Sequence, residues 1–372
     1  MKNPFSRREF LTVPAAAFAG VPAVLRAQAG GDKVRVAFVG VGNRGSYLLR
    51  HMLQVPGVEV VAVCDILPER AAEAAETVSK AGGSAVTYTD FRKMLDELKD
   101  IDAVVQAVPD WAHRDVNIAI LEVGRHLYAE KPLALSVEDC KMTVNAAKAA
   151  KGIMQVGFQL RFDPKINAAE KFVHSGGIGK VLFCHGTRFG GDLPRNIPWY
   201  FDKTKDGDIM VDQGIHILDL FTWAIGAHPE RAYGSGGIDL FKDDPPGRTV
   251  MDNYSVIFDY PESRVNFTHH YFDPPGFSGH SMRVFGSKGA VDLQNAVWQP
   301  REQKGPPIQL EVEDAGKDST YMSVAAFIAN VRAKRKPPIN DVDSAYVSTL
   351  VPIMGTKSIY ERRIVTWEEI AG

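Results

Sequence analysis

The sequence predicts an α/β chain in two parts: a doubly wound parallel sheet, then an α+β domain on a large, mainly antiparallel sheet with one open face. Three observations carry this. A glycine-rich turn stands between a β-branched run and a helical run near residue 40. Short apolar runs then alternate with helical patterns as far as residue 157, as in parallel sheets covered by helices. Beyond residue 158 successive strands are joined by short turns, as in antiparallel sheets.

The chain has 372 residues, with 43 Lys and Arg against 45 Asp and Glu, and is 45% hydrophobic and 24% charged. At roughly 150 residues per domain it holds two or three domains, each able to bury a core unaided. A formal net charge of −2 gives no electrostatic ground for binding nucleic acid or an acidic membrane, so a small-molecule partner is expected. Cys64, Cys140 and Cys184 are far apart in apolar segments, which excludes a CxxC pair or a thiolate metal cluster and predicts buried free thiols.

Residues 1–29 read as a signal peptide. Ser6-Arg7-Arg8-Glu9-Phe10-Leu11 precedes an uncharged, Ala-rich stretch to Leu25, and Ala27-Gln28-Ala29 has the small-x-small form of a cleavage site. The paired arginines resemble those of twin-arginine signals, so the folded protein is expected to pass the twin-arginine export machinery into the periplasm or beyond. The apolar stretch, about 15 residues with Pro14 and Pro22, is short of the roughly 20 that span a bilayer, so no stable membrane anchor is predicted.

Residues 33–39 form a predicted buried strand and 46–53 a helix, with Gly40-Val41-Gly42-Asn43-Arg44-Gly45 between them. In that setting the glycines allow a tight turn and let backbone N–H groups approach a pyrophosphate. A second strand, 58–64, ends in Asp65, twenty residues past Gly45. An acid there accepts hydrogen bonds from the adenosine ribose and repels a 2′-phosphate, favouring NAD over NADP. Residues 30–157 are therefore assigned to a Rossmann domain. Helices at 91–98, 115–123 and from the N-cap Ser136, with strands at 101–108, 126–129 and 153–158, continue it. Pro109, His113, Glu130 and Lys131 fall at the carboxyl edge of this sheet and are expected beside the cofactor.

With Pro109-Asp110-Trp111-Ala112-His113, Gly124-Arg125-His126-Leu127-Tyr128-Ala129-Glu130-Lys131-Pro132, Gly157-Phe158-Gln159-Leu160-Arg161-Phe162, Asp212-Gln213-Gly214-Ile215-His216 and Glu361-Arg362-Arg363-Ile364-Val365-Thr366-Trp367, the chain resembles the Gfo/Idh/MocA oxidoreductases over nearly everything after the signal. The resemblance implies that Lys131, Asp212 and His216 line the substrate site, with Lys and His taking part in proton transfer. It also implies a cis Lys131–Pro132 peptide and a homo-oligomer, dimer or tetramer, built through the open sheet face. Independently of the family, hydride loss from a secondary alcohol needs a group to take the hydroxyl proton and a positive charge for the developing alkoxide. His216 suits the first task. Asp212, four residues earlier on a helical pattern, shares its face and is expected to orient the imidazole or stabilise its protonated form.

Other residues keep two readings each. His113 contacts the nicotinamide ribose or starts a helix; Arg161 reaches substrate or forms an interdomain ion pair. Trp199 and Tyr200, in the long 190–207 segment, stack on a sugar or pin the loop, and the substrate role is favoured. Residues 158–372 make the second domain, with a helix at 163–174, strands at 180–188, 253–259, 264–271, 281–285 and 290–293, and exposed excursions at 243–247 and 303–307. His269 and His270 are adjacent in a strand and face opposite sides, so no metal site is predicted.

The expected function is an NAD(P)-dependent oxidoreductase that transfers a hydride between a sugar or polyol hydroxyl carbon and its nicotinamide cofactor. Outside the cytoplasm no replenished NAD(H) pool exists, so the cofactor is expected to be tightly retained and regenerated in place. Exchange between two sugars meets that need, and so does glycoside cleavage by transient oxidation and elimination; the sequence does not choose. A non-catalytic sugar-binding protein on the same fold is the third reading, and the intact Lys131, Asp212 and His216 argue against it.

Overall fold

The computed structural model describes residues 33–195 and 197–372; the expected signal peptide lies outside the described residues. Six parallel strands form the first sheet: β1 (Val34–Val39), β2 (Val58–Cys64), β3 (Val86–Tyr88), β4 (Ala103–Gln106), β5 (His126–Ala129) and β6 (Met154–Val156). Their order is β3-β2-β1-β4-β5-β6. Strand order reverses between β1 and β4, so a crevice opens beyond the carboxyl ends of these two strands. Helices cover both sheet faces, which is why Val36, Ala37 and Phe38 are all completely buried.

The first helix, Asn43–Met52, starts inside the glycine turn, earlier than apolar periodicity alone indicates. Gly45 is its third residue, and a Cβ there would lie 2.0 Å from the Gly40 carbonyl oxygen, so helix and turn pack backbone to backbone. The helix Pro68–Lys80 and the edge strand β3 were not expected. That helix buries only Ala71, Ala74 and Val78, and small side chains give a weak periodic signal. Ser136 caps the helix Val137–Ala149 as predicted, its Oγ accepting from the Asp139 N–H at 3.1 Å.

Nine strands form the second sheet: β7 (Val181–Phe189), β8 (Arg231–Gly237), β9 (Asn253–Asp259), β10 (Arg264–His270), β11 (Gly279–Gly286), β12 (Gly289–Asp292), β13 (Val297–Pro300), β14 (Ile308–Gln309) and β15 (Val365–Thr366). They run in the order β14-β13-β12-β11-β7-β10-β9-β8-β15, antiparallel throughout except between β7 and β10. One face packs on the helices Ile215–Ile225 and Val342–Glu361: added Cβ atoms at Gly186 and Gly234 would strike Phe221 and Ile359. The other face exposes Phe183, Tyr233, Ile257 and Phe285.

The helix Ser319–Ala333 crosses back to the first sheet. Its Val324, Phe327, Ile328 and Val331 share one core with Val36, Phe38 and Leu48, and the Tyr128 and Ser323 hydroxyls lie 3.1 Å apart. A linear division into 30–157 and 158–372 omits this return. The three cysteines are buried and free, and burial pushes the Cys64 thiol up to about 12. No helix among the described residues is long and apolar enough to cross a membrane.

Candidate active site

The glycine turn and the end of β2 make the first half of the site. Gly40 has φ +84°, and a Cβ on it would lie 2.5 Å from the Ala107 carbonyl oxygen, so only glycine fits beside β4. At Gly42 a Cβ would meet only the exposed Arg70 guanidinium, at 3.2 Å, which leaves the backbone open to close approach. Asp65 is 8% exposed; one carboxylate oxygen accepts from the Val41 N–H at 2.9 Å and the other from Leu67 N–H at 3.0 Å. Each oxygen keeps a lone pair for a ribose hydroxyl. Asn43 begins the helix. The Arg44 and Glu130 side chains, both expected at the cofactor, hold each other instead: Arg44 Nε donates to Glu130 Oε1 at 2.7 Å.

Beyond β5 the Lys131–Pro132 peptide is cis, as the family resemblance implied. The Lys131 side chain is 13% exposed, and its Nζ donates to Asp212 Oδ1 at 2.7 Å and to the Asp212 carbonyl at 2.6 Å. Asp110 and Asp206, both buried, join Asp212 around it, with one oxygen of each acid within 4.8 Å of the others. The Lys131 ammonium is the cation these acids surround. Burial disfavours its charge, but Asp212, Asp110 and Glu130 outweigh that and hold it above the usual lysine value. Burial, and then Asp212, push Asp110 and Asp206 well above the usual carboxylate range. Neither acid was singled out from the sequence. An i, i+4 pattern reveals Asp212 and His216, whereas Asp110 and Asp206 meet them only through tertiary folding.

His216 lies at the start of the helix Ile215–Ile225, directly after a π-helical turn, Met210–Gly214. Its imidazole is pushed well below the usual value, first by burial and then by the charges of Lys131, Arg44 and Arg188. Asp212 does not orient it: the Asp212 carboxylate is taken by Lys131, and His216 Nδ1 is buried without a partner. The tertiary contact wins over the local one: the buried Lys131 ammonium holds the Asp212 carboxylate, which leaves the imidazole without it.

For three residues with two readings, the structure shows the structural one, against the cofactor or substrate role also expected of them. His113 starts the helix His113–Glu122 and is 1% exposed; Nδ1 lies 2.6 Å from the Pro132 carbonyl and Nε2 2.9 Å from that of Val108, so no ring nitrogen is left for a ribose. Arg161 forms a two-pronged ion pair with Asp219 at 2.6 and 2.9 Å, both residues nearly fully buried, and so does not reach substrate. Tyr200 is 2% exposed and its hydroxyl meets that of Tyr271 at 2.9 Å, so it pins the loop. Trp199 stays partly exposed, edge-on to Trp111 at 5.3 Å, and Trp111 is 46% exposed. This aromatic pair joins the Asp110 turn to the second domain. His269 and His270 do face opposite sides of β10.

Two family models match the chain. Residues 34–158 match the oxidoreductase family with an NAD-binding Rossmann fold, and residues 166–292 match the GFO/IDH/MocA C-terminal domain. The chain belongs to the Gfo/Idh/MocA family. Among relatives of this family, scyllo-inositol 2-dehydrogenase (NAD(+)) of Bacillus subtilis is 33% identical over 342 residues, 88% of this chain and 94% of that one. Inositol 2-dehydrogenase of Salmonella paratyphi B is 32% identical over 267 residues, 70% and 74% of the two chains. In fold, the aldose-aldose oxidoreductase of Caulobacter crescentus, complexed with glycerol, superposes with a TM-score of 0.77 at 22% identity, covering 90% of this chain and 99% of that one.

The Gfo/Idh/MocA assignment fits the cradle. Gly40, the open backbone at Gly42 and the fixed Asp65 carboxylate suit a dinucleotide with an unphosphorylated ribose. NAD, when bound, supplies a hydride acceptor. Around it, an ammonium held as that of Lys131 is can stabilise negative charge on a substrate oxygen, and an imidazole held well below its usual value, as that of His216 is, can accept a proton.

Proposed function

We propose that this sugar oxidoreductase oxidises a secondary hydroxyl of a sugar or cyclic polyol with tightly retained NAD, outside the cytoplasm. The observation that carries the reading is a lysine at the sheet edge, held charged by Asp212, and beside it a histidine on the second domain's helix with its Nδ1 unpartnered and held neutral, one to steady the developing alkoxide and the other to take the hydroxyl proton. Both relatives reported above are inositol dehydrogenases, which supports a polyhydroxylated ring as substrate. The arginine pair and cleavage triplet before residue 30 support export, and export argues for a cofactor that stays bound. A homo-oligomer built through the exposed face of Phe183, Tyr233, Ile257 and Phe285 belongs to the same proposal.

The test is to purify the mature protein without added nucleotide, denature it and identify any released cofactor by absorbance and mass. Stoichiometric NAD followed by turnover of sugar pairs supports retention with net hydride exchange. Turnover of aryl glycosides instead would assign transient oxidation followed by elimination. Empty protein that turns over with added NAD would remove the retention scheme.

A further inference from the structure

Strand β7 sends Cys184, Gly186 and Arg188 to one face. Cys184 is fully buried, and a Cβ on Gly186 would lie 2.7 Å from Phe221 and 2.8 Å from Ile217, so this is the face that packs on the helix beginning with Ile215 and His216. Arg188 is therefore on the inner side of the sheet. Opposite it stand His269 of β10 and His280 of β11, and opposite His269 stands Tyr254 of β9. The four residues form a row across four strands beside His216. Burial and the Arg188 charge both push His269 and His280 down, which leaves the guanidinium as the full positive charge of the row.

The Arg188 side chain is partly buried, its guanidinium nitrogens are open to solvent, and it has no hydrogen bond or ion pair among the described residues. Other inward arginines have partners: Arg161 pairs with Asp219, Arg248 donates to the carbonyls of Val250 and Met251, and Arg44 Nε donates to Glu130, although Arg44 Nη2 has no partner. The acids nearest the site are gathered around Lys131. A planar fork of N–H donors in a sheltered position is suited to a carboxylate or phosphate.

We propose that the substrate is an acidic sugar, whose anionic group is bound by Arg188 with His269 and His280 beside it while its reacting hydroxyl faces Lys131 and His216. The inference deepens the proposed oxidoreductase function and rests on it. A neutral sugar seated there would strip water from the guanidinium without pairing it, and such mismatches discriminate strongly.

Glucuronate and galacturonate test a carboxylate, glucose 6-phosphate tests a phosphate, and glucose and myo-inositol are the neutral controls. Binding to the NAD-loaded enzyme is measured by calorimetry and turnover by absorbance. The expected result is a preference of about 100-fold or more in kcat/KM for one acidic class. Arg188→Met should abolish that preference chiefly through KM, with Arg188→Lys in between and the affinity for NAD unchanged. Melting temperature serves as the folding control, since the substitution removes no bonded partner. Turnover of neutral sugars without preference for an acid overturns the proposal and leaves the oxidoreductase reading intact. An acid that binds through Arg188 but is never oxidised keeps the binding site and overturns the oxidoreductase reading. Loss of NAD affinity in Arg188→Met overturns the proposal by assigning Arg188 to the cofactor, and absence of both binding and turnover overturns both.

Discussion

Lys131 and His216 occupy opposite protonation states for reasons visible in their surroundings. Three acids hold a proton on Lys131, and burial among cations keeps one off His216. The rate should therefore fall on the acid side only as pH drops through the His216 value, below the ordinary 6.5, and stay flat until Lys131 loses its proton above 10.5. A kcat/KM profile bending at pH 7–8 would contradict this. His216→Ala and Lys131→Ala should each lower turnover by about 100-fold or more with NAD still bound, as checked by steady-state rates and cofactor content. Asp65→Ser should weaken the preference for NAD over NADP by about 10-fold or more, read from the ratio of kcat/KM values. At this scale the sequence pointed to Lys131, Asp212 and His216 as candidates, but not to the acids around the lysine, because Asp110 and Asp206 meet it only through long-range packing.

Elements are held by polar groups that the sequence left ambiguous. The Arg161–Asp219 pair ties the 3₁₀ turn Gln159–Phe162 to the helix Ile215–Ile225. Removing one partner strands the other in the interior, so Arg161→Met should cost about 3–5 kcal/mol, measured as a fall in the urea midpoint. Glu170 lies nearby, wholly buried, with neither carboxylate oxygen hydrogen-bonded and His174 Nε2 3.6 Å from Oε2, and burial raises it well above 4.5. Its folded form thus keeps a proton that the unfolded chain releases near 4.5, and stability is lost as pH rises past that value. Glu170→Gln should stabilise the protein at pH 8 and leave it unchanged at pH 4, in paired denaturation curves. The strands and glycine turn were legible because β-branched runs and a fixed glycine spacing answer to local rules. The helix Pro68–Lys80 was not, since it buries little more than alanines.

Among the described residues, one sheet is wrapped on both sides and the other is covered on one only. Phe183 and Phe285 stand with ring centroids 6.2 Å apart on the bare face, on neighbouring strands. Phe183→Glu should shift the protein toward monomers in sedimentation velocity without altering NAD content, and an unchanged species would remove this face as the oligomer contact. Two-part organisation was readable in the change from alternating to hairpin-linked strands. The crossing of Ser319–Ala333 back to the first sheet was not, because an apolar helix does not announce which core it joins. That crossing has a consequence for the life of the chain. As the polypeptide leaves the ribosome, the six strands of the nucleotide fold, all made before residue 157, wait for a helix that follows all but the last strand of the second sheet before their hydrophobic interior is closed.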